Sequence, residues 1–244
     1  MPQDAIYLPV WAGAAVRPEE GLAYRRDDSG DNISLKNPRY SELTALYWGA
    51  RNLDADFVGL AHYRRHFKGS GDRGILTGEE AAELVSQAPV VLPSPRRYVV
   101  ETLESHYAHT HGPDHLRLLE GALGQRDRSY LEAYREVMGR TSGRMFNMCI
   151  MRRDLLKSYC DWLFPLLASV EERIDFSGMS PYDQRCMGRL AEFLLNVWVE
   201  RNSLPFAERP VVDLEPVDWV AKGSSFLRAK FLGTRYDQSF RARG

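Results

Sequence analysis

Cysteine is scarce in this chain. Cys149, Cys160 and Cys186 are the only three in 244 residues. None forms a C-x-x-C, and an odd number cannot pair completely within one chain. The expected compartment is therefore reducing, the cytoplasm. Charge of one sign is also missing: 32 Lys and Arg stand against 33 Asp and Glu, a formal net charge of -1. With no overall basic field, a nucleic-acid partner is not expected. No run of about 18 apolar residues occurs, so no membrane-spanning helix is expected. The opening "MPQDAIYLPVW" lacks a charged stretch leading into an apolar core and does not read as a secretory signal. There is no internal repeat and no low-complexity linker. One domain over 1–244 is the expectation, with 219–244 as a basic and aromatic extension.

What is present is ordinary globular composition with many aromatics: 12 Tyr, 10 Phe and 5 Trp. "AIYLPVWAGA" reads as a buried first strand, followed by an irregular polar segment over 17–40. Asn37-Pro38 reads as a helix start. Leu43, Leu46, Tyr47 and Ala50 continue it at helical spacing to about Asn52. "DFVGLAHY" and "APVVLP" read as strands. Helices are expected at 98–109, after Gly112-Pro113, and over 128–138, 153–172 and 181–201. Between them "RMFNMCIM" (144–151) reads as a strand with Asn147 in its middle, and "RPVVDL" as a last strand. Strands separated by helical stretches indicate an α/β fold with a largely parallel sheet.

The stretch "DADFVGLAHYRRHF" offers two sites for chemistry. Asp54 and Asp56 form a D-x-D, a pattern that holds a donor-gripping metal in many sugar-nucleotide enzymes. They precede the strand, whereas His62, Tyr63, Arg64 and Arg65 leave it at the carboxyl end, where open α/β sheets bind ligands. Guanidinium groups can stabilise a departing diphosphate as a divalent metal would. The D-x-D therefore reads as a solvated turn.

The blocks "GDNISLKNPRYSELTALYWGARN", "DFVGLAHYRRHF", "SHYAHTHGPDHL", "RTSGRMFNMCIMRRDLLKSYCDWLF" and "GRLAEFLLNVWV" occur in this order. Together they resemble a bacterial family long known only as a domain of unknown function. Its members are encoded with capsular-polysaccharide, exopolysaccharide and O-antigen genes, and some relatives are galactofuranosyltransferases. The resemblance spans about residues 5 to 240. It implies a GT-A-like nucleotide-diphospho-sugar transferase with a mixed, mostly parallel sheet flanked by helices. The implied activity moves a sugar from a nucleoside diphosphate donor, UDP-linked, to a saccharide or lipid-linked saccharide acceptor.

On that basis Asp28, Asp31, Asn32, Ser34 and Asn37 are expected to meet the nucleotide, and Lys36, His62, Tyr63, Arg64 and Arg65 the diphosphate. Asn37 also suits a simple helix cap. Asp183, His109 and Glu42 are candidate catalytic bases, with Asp114 a further one. His106, His111 and Asn147 are candidates for acceptor binding. All six histidines fall between 62 and 115, but H-x-x-H-x-H matches no strong metal signature, and no resident metal is expected. No cofactor is required; magnesium or manganese is allowed. The tail from Trp219 interleaves Lys and Arg with Phe, Leu and Tyr. It suits either an anionic membrane surface or a docked helix with a solvated face. A scaffold that binds saccharide or nucleotide without turnover is the alternative to an enzyme.

Overall fold

The computed structural model describes residues 2, 4–18, 21 and 23–215, so the 219–244 extension lies outside the described residues. Strands β1 (Val10–Trp11) and β2 (Arg25–Arg26) pair only with each other. The expected buried first strand is thus two half-buried residues outside the main sheet. Pro9 has no N–H to give a ladder, and the chain turns away at Gly13, with φ 79°. Gly13 lies against Asn37, where a Cβ would stand 2.5 Å from the Asn37 side chain.

Helix α1 (Asn37–Tyr40) begins at the expected Pro but stops at Ser41, whose φ is 53°. Helix α2 (Leu43–Asn52) then starts afresh with Glu42 as its N-cap. The helix read as continuous is therefore broken, and the break presents Glu42 at a helix start. Strand β3 (Phe57–Leu60) follows, then a tight turn in which the His62 N–H donates to the Arg65 carbonyl at 2.9 Å. Tyr63 and Arg64 form the tip, and β4 (Arg65–Phe67) begins at once.

Helix α3 (Gly78–Gln87) has no counterpart in the sequence reading, although Thr77 and Glu80 form a complete capping box. Next come β5 (Val90–Pro93), β6 (Arg96–Arg97), α4 (Leu103–His111), α5 (Asp114–Arg126), α6 (Arg128–Met138), β7 (Ser142–Gly143) and β8 (Cys149–Arg152). Helix α7 (Arg153–Glu171), helix α8 (Cys186–Arg201), β9 (Ala207–Arg209) and β10 (Val211–Asp213) complete the described chain.

The central sheet has the order β3-β8-β5-β9. Strand β8 runs against both β3 and β5, and β9 runs with β5. Three of the four strands therefore point the same way, and the sheet is mixed. Gly59 lets β3 approach β8; a Cβ there would stand 2.7 Å from the Cys149 carbonyl oxygen.

Alternate residues of β8 face opposite layers. Cys149 and Met151 join the main core with α2, α7 and α8, while Ile150 packs with Phe67, Leu76 and Met148 under α3. Val90, Val91 and Leu92 are fully buried, as a strand covered on both faces requires. Helix α8 has 12 of its 16 residues buried and runs through the core. All three cysteines are buried and unpaired. No described helix is long and apolar enough to cross a membrane.

Two sequence expectations shift here in ways that matter for the site. The 144–151 strand starts only at Cys149, because Phe146 and Asn147 have φ of 79° and 54°. Two successive non-glycine residues in the left-handed region form a turn, and neither belongs to a ladder. Likewise Asp183 does not open the long helix. It sits in a 3-10 turn, Asp183–Arg185, and α8 begins at Cys186.

Candidate active site

A cleft of 1140 Å³ follows β3 from Asp54 past its carboxyl end to His62. The β3–β4 turn, the N-terminal segment, the α1–α2 break and the first turns of α8 enclose it. Five arginines line it: Arg17, Arg64, Arg65, Arg185 and Arg189. Glu42 and Glu192 also line it.

The Phe146-Asn147 turn ties the titratable groups together. The Phe146 N–H donates to Glu192 Oε2 at 2.9 Å. The Phe146 carbonyl lies 2.6 Å from His62 Nε2, so Nε2 carries the proton, since a carbonyl only accepts. Asn147 Nδ2 donates to Glu42 Oε1 at 2.6 Å and to the Gly188 carbonyl at 2.9 Å. Its Oδ1 is buried without a partner among the described residues. Two strained residues thus orient a histidine and two glutamates, a use of left-handed backbone common at functional sites.

Burial pushes the Glu192 carboxyl up to about 7, and the charge of Glu42 adds to this; the Phe146 N–H, Arg65 and Arg96 pull it down. Burial holds the His62 imidazole below its ordinary value, reinforced by Arg65 and Arg64, while Glu42 and the Phe146 carbonyl act oppositely. His62 is therefore neutral at pH 7, able to hydrogen-bond but not to add charge to an anion site.

The arginines differ in how far they are compensated. Arg65 Nε is 2.8 Å from Asp213 Oδ1, an ion pair out of line for a hydrogen bond. Arg64 is 3.6 Å from Glu215 and stacks over the exposed Tyr63 ring. Arg185 donates to Ser41 Oγ at 2.9 Å. Arg189 donates to the Tyr182 carbonyl at 2.5 Å, contacts His111 Nδ1 at 3.2 Å and lies over the Tyr182 ring. Arg17, Arg185 and Arg189 form no ion pair among the described residues, so the cleft keeps a surplus of positive charge.

Of the residues expected to bind donor, the cleft brings together Asn37, His62, Tyr63, Arg64 and Arg65. The others do not line it, and their polar groups are engaged within the chain. Asp28 forms a bidentate pair with Arg26, with contacts of 2.5 and 3.1 Å. Asp31 accepts from the Tyr47 hydroxyl, and Asn32 bonds Gly30 and Ser34. Ser34 donates to Asp27 at 2.6 Å. Lys36 pairs with Glu171 at 2.7 Å, beside Arg39 and Tyr40 on the same carboxylate. Asp27 itself is fully buried and accepts the Gly13 and Ala14 N–H groups. The polarity of this segment holds the loop's own shape. Asn37 is not a side-chain cap; its amide spans the α1–α2 break, bonding the Ser41 carbonyl and Thr44.

The candidate bases and acceptor groups also divide. Glu42 lines the cleft. Asp183 does not; it is exposed and accepts from Ser180 Oγ at 2.7 Å. His109, with a side chain 71% exposed, and His106 share Glu101, at 2.8 and 3.0 Å, away from the cleft lining. Asp114 pairs with Arg117 on the exposed side of α5. His111 supports Arg189 from behind; burial and that guanidinium push its imidazole down to about 3. Asn147 acts on Glu42, behind the cleft surface. Asp54 pairs with Arg153 and its side chain is 96% exposed. No three His, Cys, Asp or Glu side chains converge as a metal site among the described residues.

Sequence reasoning missed Arg185, Arg189 and the cleft role of Glu192. The signal is the spacing: Arg185, in the turn that leads into α8, and Arg189 and Glu192 on that helix fall at i, i+4 and i+7, polar positions against an otherwise buried run.

No curated protein matches the chain. The apo structure of the bifunctional glycosyltransferase WbbM matches with a TM-score of 0.79 and 26% identity over 88% of this chain. The chain spans 43% of the WbbM chain, less than half its length. The fold is therefore GT-A-like, as expected from the resemblance. A family model described as "Domain of unknown function (DUF4422)" matches residues 1–203, and the chain belongs to that family.

Proposed function

We propose that the chain is a glycosyltransferase that moves a sugar from a nucleoside diphosphate donor to a saccharide acceptor. The observation that carries this reading is the cleft along β3, which five arginines line against three carboxylates, Glu42 and Glu192 toward the carboxyl end of the strand and Asp54 at its other end. Surplus guanidinium charge suits a diphosphate, and bidentate contact stabilises the negative charge that grows as the sugar–phosphate bond breaks. Likeness to a solved glycosyltransferase supports the same class. Arg64 and Arg65 stand at the strand end where the diphosphate is expected. Arg17 adds charge from the N-terminal segment. His62 and Asn37 give their side-chain N–H groups to the Phe146 carbonyl, the Ser41 carbonyl and Thr44, so each offers only an acceptor, which suits a sugar or ribose hydroxyl rather than a phosphate.

UDP is the expected nucleotide, and UDP-galactofuranose is the first donor to test, given the activity of some relatives. The acceptor is a saccharide, free or lipid-linked, in surface-polysaccharide assembly. Magnesium or manganese is compatible with the reading and not required by it. The 219–244 tail, with its basic and aromatic residues, would serve a lipid-linked acceptor at a membrane face.

The test is turnover with a panel of nucleotide sugars and saccharide acceptors. Arg64→Ala and Arg65→Ala should each lower kcat/KM by roughly 10- to 1000-fold, as removal of transition-state charge contacts does. Unchanged turnover in both would refute the placement of the diphosphate. Nucleotide binding without product from any donor would leave a binding protein in place of an enzyme.

A further inference from the structure

Glu192 is a carboxylate that the fold has set in an apolar helix and then left half unpartnered. Its Oε2 accepts the Phe146 N–H at 2.9 Å. Its Oε1 has no hydrogen bond among the described residues, and the side chain lines the cleft. Arg189, one turn earlier on α8, could have neutralised it, but instead turns to the Tyr182 carbonyl and His111. The other carboxylate, Glu42, also keeps one oxygen without a hydrogen bond among the described residues, and differs in its donor and its place at the start of α2 rather than inside an apolar helix. A side-chain amide bonds it at 2.6 Å, and that amide is buried and itself anchored to the Gly188 carbonyl.

We infer that Glu192 is the general base that takes the proton from the acceptor hydroxyl, and that Asn147 and Glu42 position the turn that holds it. The inference rests on the glycosyl-transfer reading. In the step, Glu192 Oε1 takes the hydroxyl proton while the acceptor oxygen bonds to the anomeric carbon. The bond from that carbon to the donor phosphate oxygen breaks, and its electron pair leaves on the diphosphate, whose charge the cleft arginines meet. Glu192 ends neutral and returns its proton to water.

Charged and titratable groups surround it on every side: Glu42 before α2, Arg65 on β4, Arg96 on β6, Tyr98, Tyr107 on α4, and Arg189 on its own helix. Their balance leaves the carboxyl titrating at about 7, where a base combines basicity with availability at neutral pH.

The test uses the purified full chain, with transfer from UDP-galactofuranose and other UDP-sugars followed from about pH 5.5 to about 8.5, and donor affinity measured by calorimetry. Wild-type kcat/KM should fall on the acid side of about pH 7 with one proton. Glu192→Gln keeps an oxygen for the Phe146 N–H, so the fold is retained. It should lower kcat by roughly 100- to 10,000-fold, abolish the acid limb and leave UDP affinity within about twofold. Glu42→Gln should keep the acid limb. The inference is overturned if Glu192→Gln keeps wild-type kcat and the acid limb, or if Glu42→Gln removes the limb instead. A wild-type protein that binds no UDP and transfers no sugar would overturn the transfer reading itself, a result distinct from either.

Discussion

Replacing Glu192 by Gln should stabilise the protein at alkaline pH and not at acid pH. Burial raises this carboxyl from 4.5 to about 7 in the folded state. Between those values the folded state binds a proton that the unfolded chain has released. Stability from this group is fully present below about pH 4.5 and is lost as pH rises through about 7. The rise from 4.5 to about 7 corresponds to about 3 kcal/mol, reduced by whatever water reaches Oε1 from the cleft. Gln carries no charge at any pH and keeps the acceptor for the Phe146 N–H. The unfolding free energy of Glu192→Gln minus that of wild type should therefore rise by about 2 to 3 kcal/mol between pH 4.5 and pH 8. Urea titrations of both proteins across that range measure the difference, and titrations shared by the two proteins cancel. A flat difference would show that Glu192 ionises at its ordinary value. That would remove the physical reason for its choice as base.

Asn147 offers a second test through backbone strain. Asn147→Ala loses bonds to Glu42 and to the Gly188 carbonyl and places Ala at φ 54°. It should cost about 2 to 4 kcal/mol in denaturant unfolding. Asn147→Gly loses the same bonds but suits the backbone, so it should be about 1 kcal/mol more stable than the Ala variant; the reverse order would deny the strain. Asp54→Asn and Asp56→Asn should leave turnover, and its response to added manganese, unchanged within about twofold, as expected for exposed side chains on a turn. A loss above about tenfold in either would restore the D-x-D as a donor motif.

Much of the fold is legible in the chain, because periodicity survives wherever an element is strongly amphipathic or fully buried. The 128–138 helix has the expected bounds, and α7, β3 and β5 fall where apolar spacing places them. Failures occur where local backbone chemistry overrides composition. "RMFNMCIM" is apolar enough for a strand, yet its first half is a left-handed turn fixed by bonds to Glu42, His62 and Glu192 from other parts of the chain. Nothing in one sequence shows those partners. The 27–36 loop misleads for the opposite reason. Its Asp, Asn, Ser and Lys suggest a ligand, but Asp27, Ser34 and Lys36 satisfy N–H groups, hydroxyls and carboxylates of the fold itself. Helix α3 is signalled mainly by the Thr77–Glu80 capping box, since none of its residues is fully buried and its apolar side chains are few. In the cleft, Arg64 and Arg65 follow from the carboxyl-end rule as lining residues, while Arg189 and Glu192 depend on which face of α8 meets the cleft, which one sequence does not show.

The most direct measurement is a calorimetric titration of the purified protein with UDP, GDP and their common sugar conjugates, with magnesium or manganese and again with EDTA. Binding of one nucleoside diphosphate that survives EDTA is the predicted result, with guanidinium groups in the place of a metal. Binding that vanishes with EDTA would contradict the arginine account, and binding of no nucleotide would contradict the glycosyltransferase reading as a whole.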